Sequence, residues 1–363
     1  MKTKNAPKTP KQAVEATNAR SLERTIGLDL GDKKHAFCVL DAKGGIAGQG
    51  SLVNERPALA ELAAKHPGAK VVMEAGSHSP WVSRFLESQG MKVIVANPRK
   101  VRAIYQNERK SDDRDAEMLA RIGRMDERLL HPVKHGSEQA QNDLVRIKLR
   151  DALVRTRVGL INSIRFTLKS LGHKISSPSS ERFHKTILEE APEAQRAVIE
   201  PVVRALEKIT EEIKVLEKEL LRVGKESYPQ TQLLQQVSGV GPITALYYVL
   251  KIEDPSRFEN VRDVGAYVGL CPRRDQSGQR DKELRISKCG DSYLRRLLVS
   301  AAQYILGPFG KESALREAGL RLAREGTAKS KKRAVVAVAR KLAVLLLTLW
   351  KTEAPYTPFP AMA

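Results

Sequence analysis

The chain has 363 residues, with 63 Lys+Arg against 42 Asp+Glu and a formal net charge of +21. Hydrophobic residues make up 41%, enough for ordinary buried cores, which excludes a disordered, collagen-like or disulfide-framework chain. The positive surplus points to a polyanionic partner: DNA, RNA or an anionic membrane surface.

A membrane span needs roughly 18 or more uncharged apolar residues, and no such run occurs. The best stretch, Ala334 to Trp350, is broken by Arg340 and Lys341. Met1 to Arg24 is basic and Pro-containing, without the apolar centre of a signal peptide. The three cysteines, Cys38, Cys271 and Cys289, are widely spaced and odd in number. They fit neither a disulfide scaffold nor a paired-cysteine zinc site. A cytoplasmic, nucleoid-associated protein with a nucleic-acid partner and no membrane contact is the expectation.

Residues 1–24 read as a flexible basic tail, and a compact α/β pattern follows over 25–130. Thr25–Leu30 and His35–Leu40 are apolar runs suited to buried strands. Asp41 to Gly45 is turn chemistry, and Ile46–Val53 predicts a third strand. Pro57 stands at a first helical turn before Ala58–Lys65. Lys70–Glu74 predicts a strand, Pro80–Gln89 a helix ended by Gly90, and Met91–Ala96 a fifth strand. After the basic stretch Asn97–Lys110, Ser111 caps a predicted helix to about Arg124. The order β-β-β-α-β-α-β-α predicts a mixed sheet with helices on its faces, the order of the RNase H-like nuclease fold.

His131 to Gly136 reads as a linker, and residues 138–225 as a helical, coiled-coil-like arm. Glu138–Leu171 is one long charged helical segment and Glu200–Val223 another. In the second, Val202, Leu206, Ile209, Ile213, Leu216, Leu220 and Val223 alternate spacings of four and three, a heptad seam of about three repeats. It suits an antiparallel hairpin, an oligomer arm or a small bundle packed on one domain. Residues 231–350 read as a mainly helical third unit, and 351–363 as a tail. This unit holds Val237 to Pro242 before a helix, a mixed-polarity loop over Cys271–Ser287, a helix from Asp291, and a closing helical segment Lys329–Trp350.

Four carboxylates stand out. Asp29 lies in an apolar strand, where an ionised group is costly unless paired or metal-bound. Glu74 ends the fourth predicted strand. Asp112 and Asp115 share a helix face, whereas Asp113 points about 100° away. Clustered, these four would require a cation, and oxygen-only ligands select Mg²⁺ or Mn²⁺. Singly, each also fits a hydrogen-bonded structural acid or a helix-dipole partner. Asp32 and Asp41 read as turn residues.

At this point a resemblance becomes specific. Ile26-Gly27-Leu28-Asp29, Val72-Met73-Glu74-Ala75 and Lys110-Ser111-Asp112-Asp113-Arg114-Asp115-Ala116, with the lead-in Asn97 to Arg102, resemble the acidic motifs of DEDD-type transposases of bacterial insertion sequences (family 110, with relatives 116, 902 and 1111). Val237 to Pro242, Gly265 to Arg273 and Ile286 to Leu298 resemble that family's C-terminal domain. The resemblance spans roughly residues 25–350. It implies a resolvase-like N-terminal domain and a serine nucleophile, which falls at Ser277 in Arg273-Arg274-Asp275-Gln276-Ser277-Gly278. Gln279 stands where relatives often carry a second glycine. It further implies donor and target DNA as substrates, a structured noncoding guide RNA, and a dimer or tetramer whose subunits share the site.

Gly239 and Gly241, before a helix, fit either a plain helix connection or a helix-hairpin-helix phosphate grip. Arg99, Lys100, Arg102, Lys110, Arg273, Arg274, Arg280, Lys288, Arg295 and Arg296 are candidate phosphate contacts. Three functions follow. The first is a transposase or site-specific recombinase acting through a phosphoserine. The second is a metal-dependent junction endonuclease using water alone, and the third a non-catalytic nucleic-acid-binding protein.

Overall fold

The computed structural model describes residues 24–104, 111–277 and 280–359. The basic tail before Arg24, Lys110 and the Gly278-Gln279 pair lie outside the described residues. At Arg102, Ser277 and Arg280 only the backbone is described. The chain divides into two compact units that meet between His135 and Gly136.

In the first unit, strands β1 (Thr25–Asp29), β2 (Lys34–Leu40) and β3 (Ile46–Val53) form an antiparallel meander. Helix α1 (Arg56–Lys65) leads to β4 (Lys70–Glu74), and α2 (Ser79–Ser88) leads to β5 (Lys92–Ala96). The sheet order is β3-β2-β1-β4-β5, with β1, β4 and β5 parallel. Two further helices follow, α3 (Pro98–Ile104) and α4 (Asp112–Met125). The sequence reading left the first of these as a basic stretch. Its polar residues hide about two turns, in which Val101 is buried.

Strand pleating sorts the core. Ile26, Leu28, Val71 and Met73 face one side, where they pack with Leu59 and Leu62 of α1 and Val82 and Leu86 of α2. The intervening Val72 faces the other side, against Leu119 and Ile122 of α4, where Ala116 and Ala120 meet Cys38 of β2. Here α4 comes down onto the backbone of β1. A Cβ at Gly27 would stand 1.8 Å from the Ala116 carbonyl oxygen and 2.6 Å from the Ala120 nitrogen. No residue with a side chain permits that approach.

The second unit is mainly helical. Helix α5 (Glu138–Ser170), the short α6 (Phe183–Glu190) and α7 (Glu193–Ser227) come first. Ile161, Ile164 and Leu168 of α5 pack with Ile199, Val203 and Leu206 of α7, and Arg150 Nε binds Glu217 at 3.0 Å. The seam residues Leu206, Ile213, Leu220 and Val223 are buried. Helix α7 begins seven residues before the predicted start. Pro201 sits exposed inside it, so its missing N–H and ring are absorbed on the solvent side.

Then come α8 (Gln230–Leu234), α9 (Pro242–Ile252), α10 (Val264–Tyr267), strands β6 (Pro272–Ser277) and β7 (Arg280–Ile286), and helices α11 (Ser292–Leu306), α12 (Ala314–Ala323) and α13 (Ala328–Thr352). Their core holds the fully buried Tyr247, Tyr248, Leu298, Leu342 and Leu346. Among the described residues no helix is long and apolar enough to cross a membrane.

One expectation is corrected. Cys271–Ser287 is not a loop: it contains the antiparallel hairpin β6–β7. Strand β6 carries no apolar alternation, and β7 only Leu284 and Ile286 near its end, too little to read as a strand. In the backbone register Arg274 stands opposite Glu283 and Asp275 opposite Lys282.

Candidate active site

The β1–β4 ladder runs in register through Leu28↔Met73. Asp29 and Glu74 follow that last pair, and each closes its strand. Alternation puts both on the same face as Gly27 and Val72, the face covered by α4. Both carboxylates are half-buried and have polar partners.

Helix α4 runs antiparallel to β1. Its C-terminal Gly123 accepts from Lys70 Nζ at 3.3 Å, at the start of β4. Its Ala116 lies over Gly27. The N-terminal turn therefore points toward the end of the sheet where the two strand carboxylates stand. Asp112 and Asp115 extend the inner stripe Ala116, Leu119, Ala120 and Gly123 by one turn. Asp115 is half-buried and Asp112 exposed. Negative charge at this helix start is favoured by the dipole.

The fit to a divalent ion is specific in chemistry and incomplete in closure. The donors are carboxylate oxygens, as hard cations require. Yet among the described residues no three Asp, Glu, His or Cys side chains form a group able to hold a metal ion. The strand pair stands together, and the helix carboxylates approach the same end without supplying a third ligand.

Positive charge borders this edge. Helix α3 leaves the sheet just after Ala96, which pairs with Glu74, and presents Arg99 and Lys100 to solvent. The sequence reading missed three neighbours. Asp32 and His78 follow the two acid-bearing strands and bond each other at 2.8 Å, and Asn54 at the end of β3 bonds the loop carrying Asp32. Asp32 had read as a turn residue. The other two gave no periodic signal.

In the second unit, Ser277 ends β6, paired in register with Arg280. The base of this hairpin is clamped by two turns. Gly269 (φ +72°) would place a Cβ 2.1 Å from the Cys289 carbonyl oxygen, and Gly290 (φ +71°) one 2.0 Å from that of Tyr267. Ser287 and Lys288 donate their amides to the Cys271 and Gly269 carbonyls at 2.9 and 3.1 Å, ordinary hydrogen-bond lengths. Arg295 Nη1 donates to the Val268 and Cys289 carbonyls at 3.1 and 2.9 Å, tying both turns together. Asp291 caps α11 through the Tyr293 and Leu294 amides and accepts from Tyr247. Lys251 pairs with it at 3.3 Å.

The remaining basic candidates divide. Arg273, Arg274 and Lys288 are exposed on or beside the hairpin. Arg296 is engaged by Asp151 at 2.7 Å and stacks over the Tyr293 ring. Gly239 (φ +86°) packs against Ala301, Tyr304 and Ile305 of α11, which accounts for it structurally. Gly241 caps α9 with open space around its Cα, so packing does not explain its lack of a side chain.

Comparison with known proteins is consistent along the chain. A transposase family of DEDD-type IS110 elements matches residues 26–172. The transposase IS116/IS110/IS902 family matches residues 231–317. The transposase for insertion sequence element IS1111A of Coxiella burnetii is 27% identical over 340 residues, covering 92% of this chain and 91% of its own. That for IS1328 of Yersinia enterocolitica is 30% identical over 289 residues, covering 77% and 82%. A pilin gene-inverting protein of Moraxella bovis is 28% identical over 139 residues, 38% of this chain and 42% of its own. With both domain matches in order and the IS1328 relative covered over most of its length, this chain belongs to the IS110/IS116/IS902 family of transposases.

Proposed function

We propose that this transposase cuts and exchanges DNA strands at the ends of an insertion sequence through a phosphoserine formed on Ser277. The observation that carries the reading is the placement of Asp29 and Glu74 one residue beyond the Leu28↔Met73 pair, at the ends of adjacent parallel strands and on the face covered by α4. On this reading the first unit is an RNase H-like nuclease domain. Residues 138–225 form the arm of a dimer or tetramer, and residues 231–350 carry the nucleophile.

Asp29 and Glu74, joined by Asp112 and Asp115, would hold Mg²⁺ or Mn²⁺. Such an ion would neutralise the scissile phosphate and the oxygens around it. The Ser277 hydroxyl attacks phosphorus, an Oγ–P bond forms, and the bond to the leaving deoxyribose oxygen breaks. The serine proton passes to a base, and the leaving oxygen takes one up. Phosphodiester energy is retained in the seryl ester, so rejoining needs no nucleotide cofactor. Arg99, Lys100, Arg273, Arg274 and Lys288 neutralise DNA phosphates. Arg102, Lys110, Arg280 and Gly241 remain further candidate phosphate contacts, whereas Arg295, Arg296 and Gly239 are engaged within the fold. A structured noncoding RNA pairing with donor and target would supply sequence choice. A nucleic-acid enzyme of the bacterial cytoplasm, bound at the nucleoid, is the setting this implies. The gene-inverting relative supports strand exchange as the reaction class.

The test is Ser277→Ala, assayed for covalent protein–DNA adducts on DNA carrying the element's ends. Adducts should vanish while nucleic-acid binding persists. Adducts surviving in that variant would overturn the assignment. Cleaved DNA with no attached protein in the unaltered enzyme would favour the water-dependent endonuclease.

A further inference from the structure

We propose that Asp32, His78 and Asn54 form a positioning clasp that sets the gap between Asp29 and Glu74. The inference rests on the acid-edge reading above. Its observations are independent of it.

The register between β1 and β4 stops at Leu28↔Met73. Beyond that pair, each acid-bearing strand is held by its outer neighbour, through Asp29↔Ala36 and Glu74↔Ala96. Two carboxylates at the open end of a ladder repel and drive the strand ends apart. A tie between the two chain segments follows further out, His78 Nε2 to Asp32 Oδ1 at 2.8 Å. Asp32 follows Asp29 by three residues, and His78 follows Glu74 by four. The bridge therefore spans the loops that leave the two strands.

Asn54 fixes the same loop from the other side. Its side-chain amide donates to the Gly31 and Asp32 carbonyls at 3.3 and 3.0 Å. Its backbone amide donates to the Lys33 carbonyl at 3.0 Å. Three consecutive carbonyls are thus gripped by one residue at the end of β3. The loop is already tight, since a Cβ on Gly31 would lie 2.4 Å from the Lys34 carbonyl oxygen.

The histidine acts here as a tether. Asn54 Nδ2 and Trp81 Nε1, both donors, approach His78 Nδ1 at 3.4 Å each. Nδ1 therefore presents its lone pair, and Nε2 carries the proton that it donates to Asp32. Both ring nitrogens are occupied, which leaves neither for proton transfer to substrate. Behind the clasp lies the fully buried ring of His35, 6.4 Å from that of His78.

The experiment uses the full-length protein with its nucleic-acid partners. Asp32→Ala, His78→Ala and the double variant are compared with Asp32→Asn and with Asp29→Asn. Each alanine variant should slow strand cleavage roughly 10- to 100-fold at saturating DNA, with unchanged DNA affinity and melting temperature. The double variant should be no slower than the slower single one, because one bridge is lost in each case. Asp32→Asn, whose amide oxygen still accepts from Nε2, should recover most of the rate. Hydrogen exchange over residues 30–34 and 75–79 should quicken in the alanine variants alone. Additive losses, no recovery in Asp32→Asn, or unchanged exchange would overturn the clasp. If His78→Ala fails to fold, Asp32→Ala decides, since its side chain is 94% exposed. Should Asp29→Asn cleave normally, the acid-edge reading fails, while the exchange measurement still judges the clasp.

Discussion

The two halves of the proposed chemistry are built by opposite means. The carboxylate edge belongs to a sheet whose inner strands are buried on both faces, and α4 is seated on it backbone to backbone at Gly27. The serine hairpin is two short, mostly polar strands paired in register, with its base held by the interlocked turns at Gly269 and Gly290. Burial fixes the first to fractions of an ångström. Backbone pairing and the turn geometry at its base fix the second. The rigid half carries the groups that would hold a cation in place. The hairpin carries Ser277, the proposed nucleophile.

The contrast can be broken at the acids. Asp29→Asn or Glu74→Gln should cut strand cleavage on the order of 10²–10⁴-fold, the range for loss of a principal catalytic group. The melting temperature should hold or rise slightly when divalent ions are chelated, because one member of a repelling pair becomes neutral. A drop in melting temperature with cleavage intact would make these acids structural.

It can be sharpened at the glycines. In Gly27→Ala the new methyl must displace α4, costing on the order of 3 kcal/mol. Gly290→Ala meets the Tyr267 carbonyl and also holds alanine at positive φ, costing roughly 1–3 kcal/mol. Hydrogen exchange read over each unit should show the first loss confined to residues before Gly136 and the second to residues after it. A loss spread over both units would mean that they unfold as one.

Legibility followed the same division. Apolar runs bounded by turn residues revealed the five strands of the sheet, and a carboxylate inside such a strand stood out as Asp29 did. The hairpin escaped because Arg274, Asp275, Lys282 and Glu283 carry no apolar period. Helix α3 escaped for a like reason, and the early start of α7 was masked by Pro201. Ser277 was legible only through resemblance, since a serine before a glycine in a polar segment has no physical signature of its own. Asn54 and His78 could not be found by pattern. Their partners are backbone carbonyls and each other, brought together from different elements by the sheet.

The smallest expected effect concerns the anchor beneath the hairpin. Burial pushes the Asp291 carboxyl up, but the Leu294 amide, the Lys251 ammonium and the Tyr247 hydroxyl outweigh it and hold it below the usual range. A carboxyl depressed on folding stabilises the protein above its unfolded pKa, about 4. That contribution is lost as pH falls through the lower folded value. Asp291→Asn keeps a cap oxygen for α11 but gives up the ion pair with Lys251. The variant should be less stable by about 1 kcal/mol at neutral pH, and the difference should close as the medium is acidified below the ordinary carboxylate range. Denaturant unfolding at a series of pH values measures it. A difference that persisted undiminished in acid would mean that Asp291 acts through neutral hydrogen bonds alone. The hairpin base would then rest on turn geometry without electrostatic support, making the contrast with the buried sheet edge sharper still.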